Sequence, residues 1–410
     1  LASRPIRVAV VGSRAMLGRY LAARRPLYAD LLAYQPPVDA IGEGEADLYL
    51  LQANRPADLI AGLPALLAPE SARAALTRRA ALLLDGSGEG PPFAPEIAAA
   101  LHRILADSGV PARRVIHATQ NELHEAGYVA WAREAGIAER MIVVVQHYHL
   151  LEVADAMRRE QRHGGRRVAR LRAALTPGTG RARFLCLNNR LHPHRVVMLG
   201  RLARIGALER SLVSAAAATK EQQGADFAGL IAEARQALPD FAADIEAFAG
   251  LPLPLAIPGD PGGNVVTDLS PRLYDRALFS LVGETTMNIQ GGPSARFTEK
   301  TAKALANGHA ALVAGPLGVL RLLRSHGFES FAPFLDESYD VIADPAARLG
   351  ALLAEMERLA ALDETQVLRL RAALLPAVEH NLRHFAEGLP RLLERRLEHL
   401  ARVVEAILRS

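Results

Sequence analysis

What most constrains this chain is the alternation of short apolar runs with longer helical patterns. Residues 6–12 read IRVAVVG, rich in β-branched side chains, and SRAMLGRYLAARRP follows as a helical pattern that Ser13 can cap. Further strands are expected at 47–52, 80–84, 114–117 and 141–146, with helical stretches such as 95–108 and 121–135 between them. That alternation predicts parallel βαβ units and a doubly wound sheet. A basic, glycine-rich stretch at 158–183 reads as a linker, after which the pattern resumes. The strand ARFLCLNN leads to a helix at 195–205, and strands return near 210–214, 279–282 and 310–314. Residues 220–250 read as a helical insertion and LPLPLAIPGDPGG as an irregular loop, and from Pro345 the pattern is almost all helical. The expected fold class is therefore α/β, with two Rossmann-like domains facing a central cleft and a helical C-terminal region. The expected divisions are 1–165, 180–345 and 346–410.

Composition narrows the class. At 410 residues, 50% hydrophobic and 22% charged, the chain exceeds one typical domain and can bury a sizeable core. No apolar run approaches the roughly 18 to 20 residues of a membrane span, and the N-terminus leads into a strand with no signal-peptide pattern. A soluble, cytoplasmic protein is expected, with peripheral contact to a membrane left open. One cysteine, Cys186, excludes an internal disulfide and any cysteine-built zinc or iron–sulfur site. The 48 basic and 44 acidic residues are interleaved, unlike the concentrated footprint of a nucleic-acid binder. Lysine occurs only at Lys220, Lys300 and Lys303, all other side-chain cations apart from histidine being arginine. A lysine is a compact point charge that an arginine fork does not duplicate, so the segment holding two of them invites a chemical reading.

That segment runs from 281 to 344. A strand at 279–282 leads through a polar loop to a helix whose first turn holds Thr298, Glu299 and Lys300, and the strand AALVAG and a GPLG turn follow. Ligands of open α/β sheets bind at the carboxyl ends of strands, and a helix N-terminus offers unpaired N–H groups to phosphate. Lys300 adds a full charge and Glu299 can accept from vicinal hydroxyls, so a nucleoside diphosphate ligand is expected. The residues Glu284, Asn288, Thr298, Glu299, Lys300 and ALVAGP, with FLCLNNRLHPHRVVMLGRL upstream, resemble the nucleotide-sugar half of GT-B-type glycosyltransferases. The nearest group is the fucosyltransferase-like one, whose signature is F-x-x-E-N followed by T-E-K. The resemblance covers about a quarter of the chain, all in the second half. It implies that Lys300 and Arg195 hold a pyrophosphate, that Glu299 holds the ribose and that Asn188 belongs to the same site. This chain departs from the signature in writing the acidic–asparagine pair as ETTMN and in carrying Ala302 where the group has a bulky aromatic.

An inverting transfer needs a base for the acceptor hydroxyl and cations for the leaving diphosphate. The first half offers Glu89, His147 and Asp85 as bases, in that order, with Glu122 and His124 nearby in sequence. His147 and His149 are expected to alternate on a strand and share a face with Glu152, but no diagnostic metal spacing accompanies them, so no metal is expected. His192 and His194 read as loop residues near the phosphates. Asp336, Glu337 and Asp340 read either as magnesium ligands or as a polar loop that caps the next helix. No D-x-D, G-x-G-x-x-G, G-x-x-x-x-G-K-[ST] or G-x-S-x-G occurs. The expected function is metal-independent sugar transfer from a nucleotide-diphosphate sugar to a hydroxyl or amide of a glycan, lipid-linked or protein acceptor, with no other cofactor and no nucleic acid. The alternatives are an NAD(P)-dependent oxidoreductase binding at Gly12, or a non-catalytic protein that docks through helix 389–410. That helix's leucine stripe could meet a membrane, a second copy or its own core.

Overall fold

A computed structural model describes residues 4–12, 31–53, 55–88, 90–162, 181–188, 190–215, 227–258, 269, 271–287, 293–332 and 334–410. The helix expected after Ser13, Gly18, Lys220, Glu89 and Asn288 lie outside the described residues. The chain divides into two units. The first comprises Leu1–Leu151, Gly292–Arg296 and Arg391–Ser410, and the second Glu152–Gly291 and Phe297–Pro390.

The first unit is built on strands β1 (Ile6–Val10), β2 (Leu32–Tyr34), β3 (Leu48–Gln52), β4 (Ala81–Gly86), β5 (Val115–Thr119) and β6 (Ile142–Val145). They form one all-parallel sheet in the order β2-β1-β3-β4-β5-β6. The expected strands are all present, and the three-residue β2 was too short to stand out. Helices α1 (Pro56–Leu67), α2 (Glu70–Arg78), α3 (Pro95–Asp107) and α4 (His124–Glu134) make the crossovers, and α5 (Tyr148–Arg162) follows β6. Every residue of β4 is buried, as a strand covered on both faces requires, which is why ALLLDG reads as a continuous apolar run. Leu59, Leu63 and Leu67 of α1 and Leu101 and Leu105 of α3 fill the core on one face. Pro56 and Pro95 each open a helix, where a missing N–H costs nothing.

The second unit holds β7 (Ala182–Asn188), α6 (Pro193–Arg204), β8 (Leu212–Ala215), α7 (Phe227–Ala237), α8 (Ala242–Ala249), β9 (Ala277–Gly283), α9 (Glu299–Ala306), β10 (Ala311–Ala314) and α10 (Val319–Ser325). Its four strands are parallel in the order β10-β9-β7-β8. The insertion between β8 and β9 is helical as expected. Its α8 crosses α6 so closely that a Cβ at Gly200 would lie 1.8 Å from the Asp244 carbonyl oxygen. Around that crossing the buried Asp244 carboxylate binds Arg201 and Arg204, each at 2.7 Å.

Helices α11 (Pro345–Ala361), α12 (Glu364–Arg383) and α13 (Leu389–Arg409) form the helical C-terminus. Asp363 and Gln366 build a capping box at the start of α12, and a π-turn at His384–Gly388 joins α12 to α13. From Arg391 the chain belongs to the first unit. The leucine stripe of α13 is amphipathic, and Leu393, Leu397, Leu400, Val404 and Ile407 are buried within the folded chain. Of the readings open for it, packing on the chain's own core is the one realised, because those side chains are already out of water. Among the described residues no single helix is long and apolar enough to cross a membrane.

Candidate functional site

In the second sheet the chain runs from β7 to β8 on one side and later places β9 on the other, so the strand order reverses between β7 and β9. A cavity of about 260 Å³ lies at that reversal. Its walls come from Leu185 and Leu187 of β7, from 280–283 of β9, from Arg190, His192 and Arg195, and from Glu299, Lys300 and Lys303. Open α/β sheets place ligands at the carboxyl ends of strands at such a reversal.

Two helix N-termini border the cavity. Helix α6 starts with Pro193 behind an extended His192 that makes no side-chain cap. Helix α9 starts behind Thr298, whose hydroxyl accepts from the Lys300 N–H at 3.4 Å. The unpaired N–H groups at such ends carry partial positive charge. Arg190 is exposed and has no ion pair among the described residues. The Lys300 ammonium is half-buried and lies 2.9 Å from a Glu299 carboxylate oxygen, while Lys303 is buried. The two histidines register the field. Burial, and then Arg195, Arg190 and Lys300, push His192 down to about 3. Burial, Arg195 and His192 hold His194 well below the usual imidazole range. Both rings are therefore neutral at pH 7, and the positive charge of the cavity comes from lysine and arginine.

In and behind this wall stand residues that the sequence assigns to the ligand. Arg195 is 2% exposed and donates from one terminal nitrogen to the Gly283 and Glu284 carbonyls, at 2.7 and 3.0 Å, and from the other to the Arg190 carbonyl. Its guanidinium thus ties the end of β9 to α6 and contributes its charge to the cavity wall with its terminal nitrogens already bound. Gly283 has no room for a side chain, since a Cβ there would meet Arg195 Cγ at 2.9 Å. Glu284 is fully buried, and its Oε1 accepts from the Thr298 N–H at 3.0 Å and from the Thr301 hydroxyl. It fixes the start of α9 and does not line the cavity. Asn188 is also buried, with its amide nitrogen directed to Cys186 Sγ and the Ser214 carbonyl. Arg195, Glu299 and Lys300 therefore line the cavity, while Asn188, Glu284 and Thr298 shape it. Arg190 is the lining cation that the sequence reading passed over; its place two residues after a strand's carboxyl end was the available signal.

In the first unit Asp85 ends β4, fully buried, with Oδ1 accepting from the Ser87 N–H at 3.2 Å and the Ser87 hydroxyl at 2.5 Å. His147 is 1% exposed, and its Nε2 lies 3.0 Å from Glu122 Oε1, which also accepts from Arg396 of α13 at 2.9 Å. The expectation that His147 and His149 share a strand face does not hold. Strand β6 ends at Val145 and Tyr148 opens α5, so the rings diverge and His149 turns to the Gly88 carbonyl at 3.1 Å. The acids of DESYD are engaged with backbone. Asp340 accepts from the Leu320 and Arg321 N–H groups at 2.9 Å, capping α10 rather than the next helix, which Asp344 caps. Glu337 accepts from the Phe331 N–H at 2.7 Å, and Asp336 from the Ser338 N–H at 2.9 Å.

No family model and no curated protein matches this chain. Among solved structures it is similar to the α,α-trehalose 6-phosphate synthase of Burkholderia multivorans, with a TM-score of 0.39 and 14% identity over 95% of this chain and 75% of that one. It is also similar to a second trehalose-6-phosphate synthase, with a TM-score of 0.40 and 15% identity over 92% of this chain and 76% of the other. The chemistry of the site rests on its geometry.

Proposed function

We propose that the cavity between β7 and β9 binds the diphosphate of a nucleotide sugar and that the chain is a glycosyltransferase. The observation that carries this reading is the convergence of Arg190, Lys300, Lys303 and two helix N-termini on one cavity at the strand-order reversal. Phosphate oxygens accept from helix-end N–H groups and pair with lysine and arginine, and Glu299 stands beside Lys300 to accept from ribose hydroxyls. In the transfer the acceptor oxygen bonds to the anomeric carbon as that carbon's bond to the diphosphate breaks, and the acceptor proton passes to a base. Lys300 and Arg190 stabilise the charge that grows on the leaving diphosphate, so the step is written without a metal. His147, with Nε2 3.0 Å from Glu122 Oε1, is the best-organised acid–base pair of the first unit, since a carboxylate orients an imidazole and stabilises its cation. Hydroxyl or amide acceptors, and an inverting outcome, belong to the same proposal.

The test is a thermal-shift and calorimetric panel of UDP, GDP, dTDP, ADP and NAD(H) with wild type and Lys300→Ala. A nucleoside diphosphate should raise Tm by mass action, and Lys300→Ala should weaken it about 10- to 100-fold, the loss of one charged hydrogen bond of ~1.5 to 3 kcal/mol. Equal binding by the variant, or stabilisation by NAD(H) alone, would reject the reading.

A further inference from the structure

The first unit holds a second cavity, of about 70 Å³, between the carboxyl ends of β4 and β5, segment 91–93 and helices α3 and α4. Its walls are mainly apolar, with Phe93, Leu101, Met141 and Val143 among them. Two histidines interrupt them. His117 of β5 and His124 of α4 meet edge to face with ring centroids 4.8 Å apart, and Phe93 meets His124 in the same way at 5.4 Å. Burial lowers the pKa of both imidazoles, His117 to about 3, so each is neutral near pH 7.

The state of His124 is decided by its partners. Its Nδ1 is buried and has no hydrogen-bond partner among the described residues. A neutral imidazole carries one N–H, so in the tautomer protonated at Nε2 this Nδ1 is a bare acceptor. Leaving a buried acceptor unpaired is costly, and what satisfies it must bring an O–H or N–H into an otherwise apolar space. The residue is 8% exposed, and the two hydroxyls that line the cavity have other partners: Tyr128 faces His102 at 2.9 Å and accepts from the Met141 N–H at 2.7 Å, and Thr119 accepts from the Asn121 N–H at 3.2 Å. The cavity has about half the volume of the ~150 Å³ apolar cavity that takes a benzene ring, so it suits a short aliphatic group and not a ring.

We propose that this cavity binds a short aliphatic alcohol group, with its carbons against Phe93, Leu101 and Met141 and its hydroxyl donating to His124 Nδ1.

The experiment uses the full chain and a matched pair of probes, 2-butanol and butanone, which share a carbon skeleton but differ in their ability to donate. Saturation-transfer NMR reads binding, and the ¹⁵N resonance of His124 Nδ1 reads the hydrogen bond. Expected are a shift of that resonance with 2-butanol and at least ~5-fold weaker binding of butanone, the cost of leaving the acceptor unmet. Ala98→Leu, which fills the cavity from α3, should abolish 2-butanol binding and leave nucleoside-diphosphate stabilisation unchanged. Should that variant not fold, the matched pair on wild type decides alone. Equal binding of both probes, binding of neither up to 100 mM (about the millimolar-to-molar range of weak ligands), or an unmoved His124 resonance overturns the proposal. A nucleoside diphosphate that fails to bind would remove the transferase reading and leave this result standing.

Discussion

Arg195 and Lys300 border the same cavity with opposite allocations of their nitrogens, and that difference separates two kinds of mutant. Arg195 gives both terminal nitrogens to backbone carbonyls at 2% exposure, so Arg195→Ala leaves those carbonyls unmet and removes a packed stem beside Gly283. A loss of about 3 kcal/mol or more is expected in urea melts, the scale of breaking a buried charged network. Lys300 is half-buried and among the described residues its ammonium meets Glu299 and Thr298, so Lys300→Ala should shift stability by no more than about 0.5 kcal/mol while it weakens diphosphate binding. A variant pair with the reverse pattern would contradict these roles. His309 supplies a pH dependence. Burial pushes it down to about 3, although the Tyr274 carbonyl at 2.7 Å raises it in part. Because its folded-state value lies below the unfolded value near 6.5, the unfolded chain binds the extra proton. The stability from a neutral His309 is complete above about pH 6.5 and is lost progressively as pH falls toward 3. The limiting slope is ~1.4 kcal/mol per pH unit for each such group. Urea midpoints at pH 7, 6 and 5 should fall in that order, and His309→Gln should flatten the trend.

At the scale of elements, the crossing of α6 and α8 is the tightest contact named above. A methyl at Gly200 has nowhere to go, because backbone of α8 occupies its site at 1.8 Å. Gly200→Ala should therefore cost more than the 1 to 3 kcal/mol of ordinary overpacking, read as a large drop in Tm or as insoluble protein. The sequence shows that glycine in the middle of a helical pattern but not what approaches it. The parallel strands were legible for the converse reason: a strand covered on both faces must be apolar throughout, so β4, β5 and β6 stand out without any partner being known. The three residues of β2 carry no such signal. The DESYD acids illustrate a further limit. Their spacing suggested either a cation or a cap for the next helix, and the cap they form is on a helix earlier in the chain, reached only after the loop folds back.

At the scale of the whole molecule, the end of the chain completes its beginning. Residues 391–410 belong to the unit that holds the first sheet, and Arg396 meets Glu122, 274 positions earlier. A chain ending at Pro390 would lack the buried Leu393, Leu397, Leu400 and Val404. At roughly 1.5 to 3 kcal/mol for each buried leucine, that truncation should leave the first unit unfolded or aggregating, seen as lost circular dichroism or void-volume elution. A monomeric, cooperatively melting truncation would show that the helix is dispensable.

By itself the sequence determined the class of structure: strand–helix alternation, an all-parallel pattern, a helical C-terminus, and a lysine-bearing helix start after a strand. These are consequences of local periodicity and of which residues tolerate burial on two faces, and neighbours in sequence suffice to express them. Tertiary structure alone decided which polar residues meet the cavity and which support it. Glu284 has the composition of a ligand contact, yet its carboxylate is taken up by the Thr298 N–H and the Thr301 hydroxyl at the start of α9, and Arg195 lines the cavity with its terminal nitrogens already bound to backbone carbonyls. The direction of a side chain depends on the elements that close around it, and those elements come from distant parts of the chain.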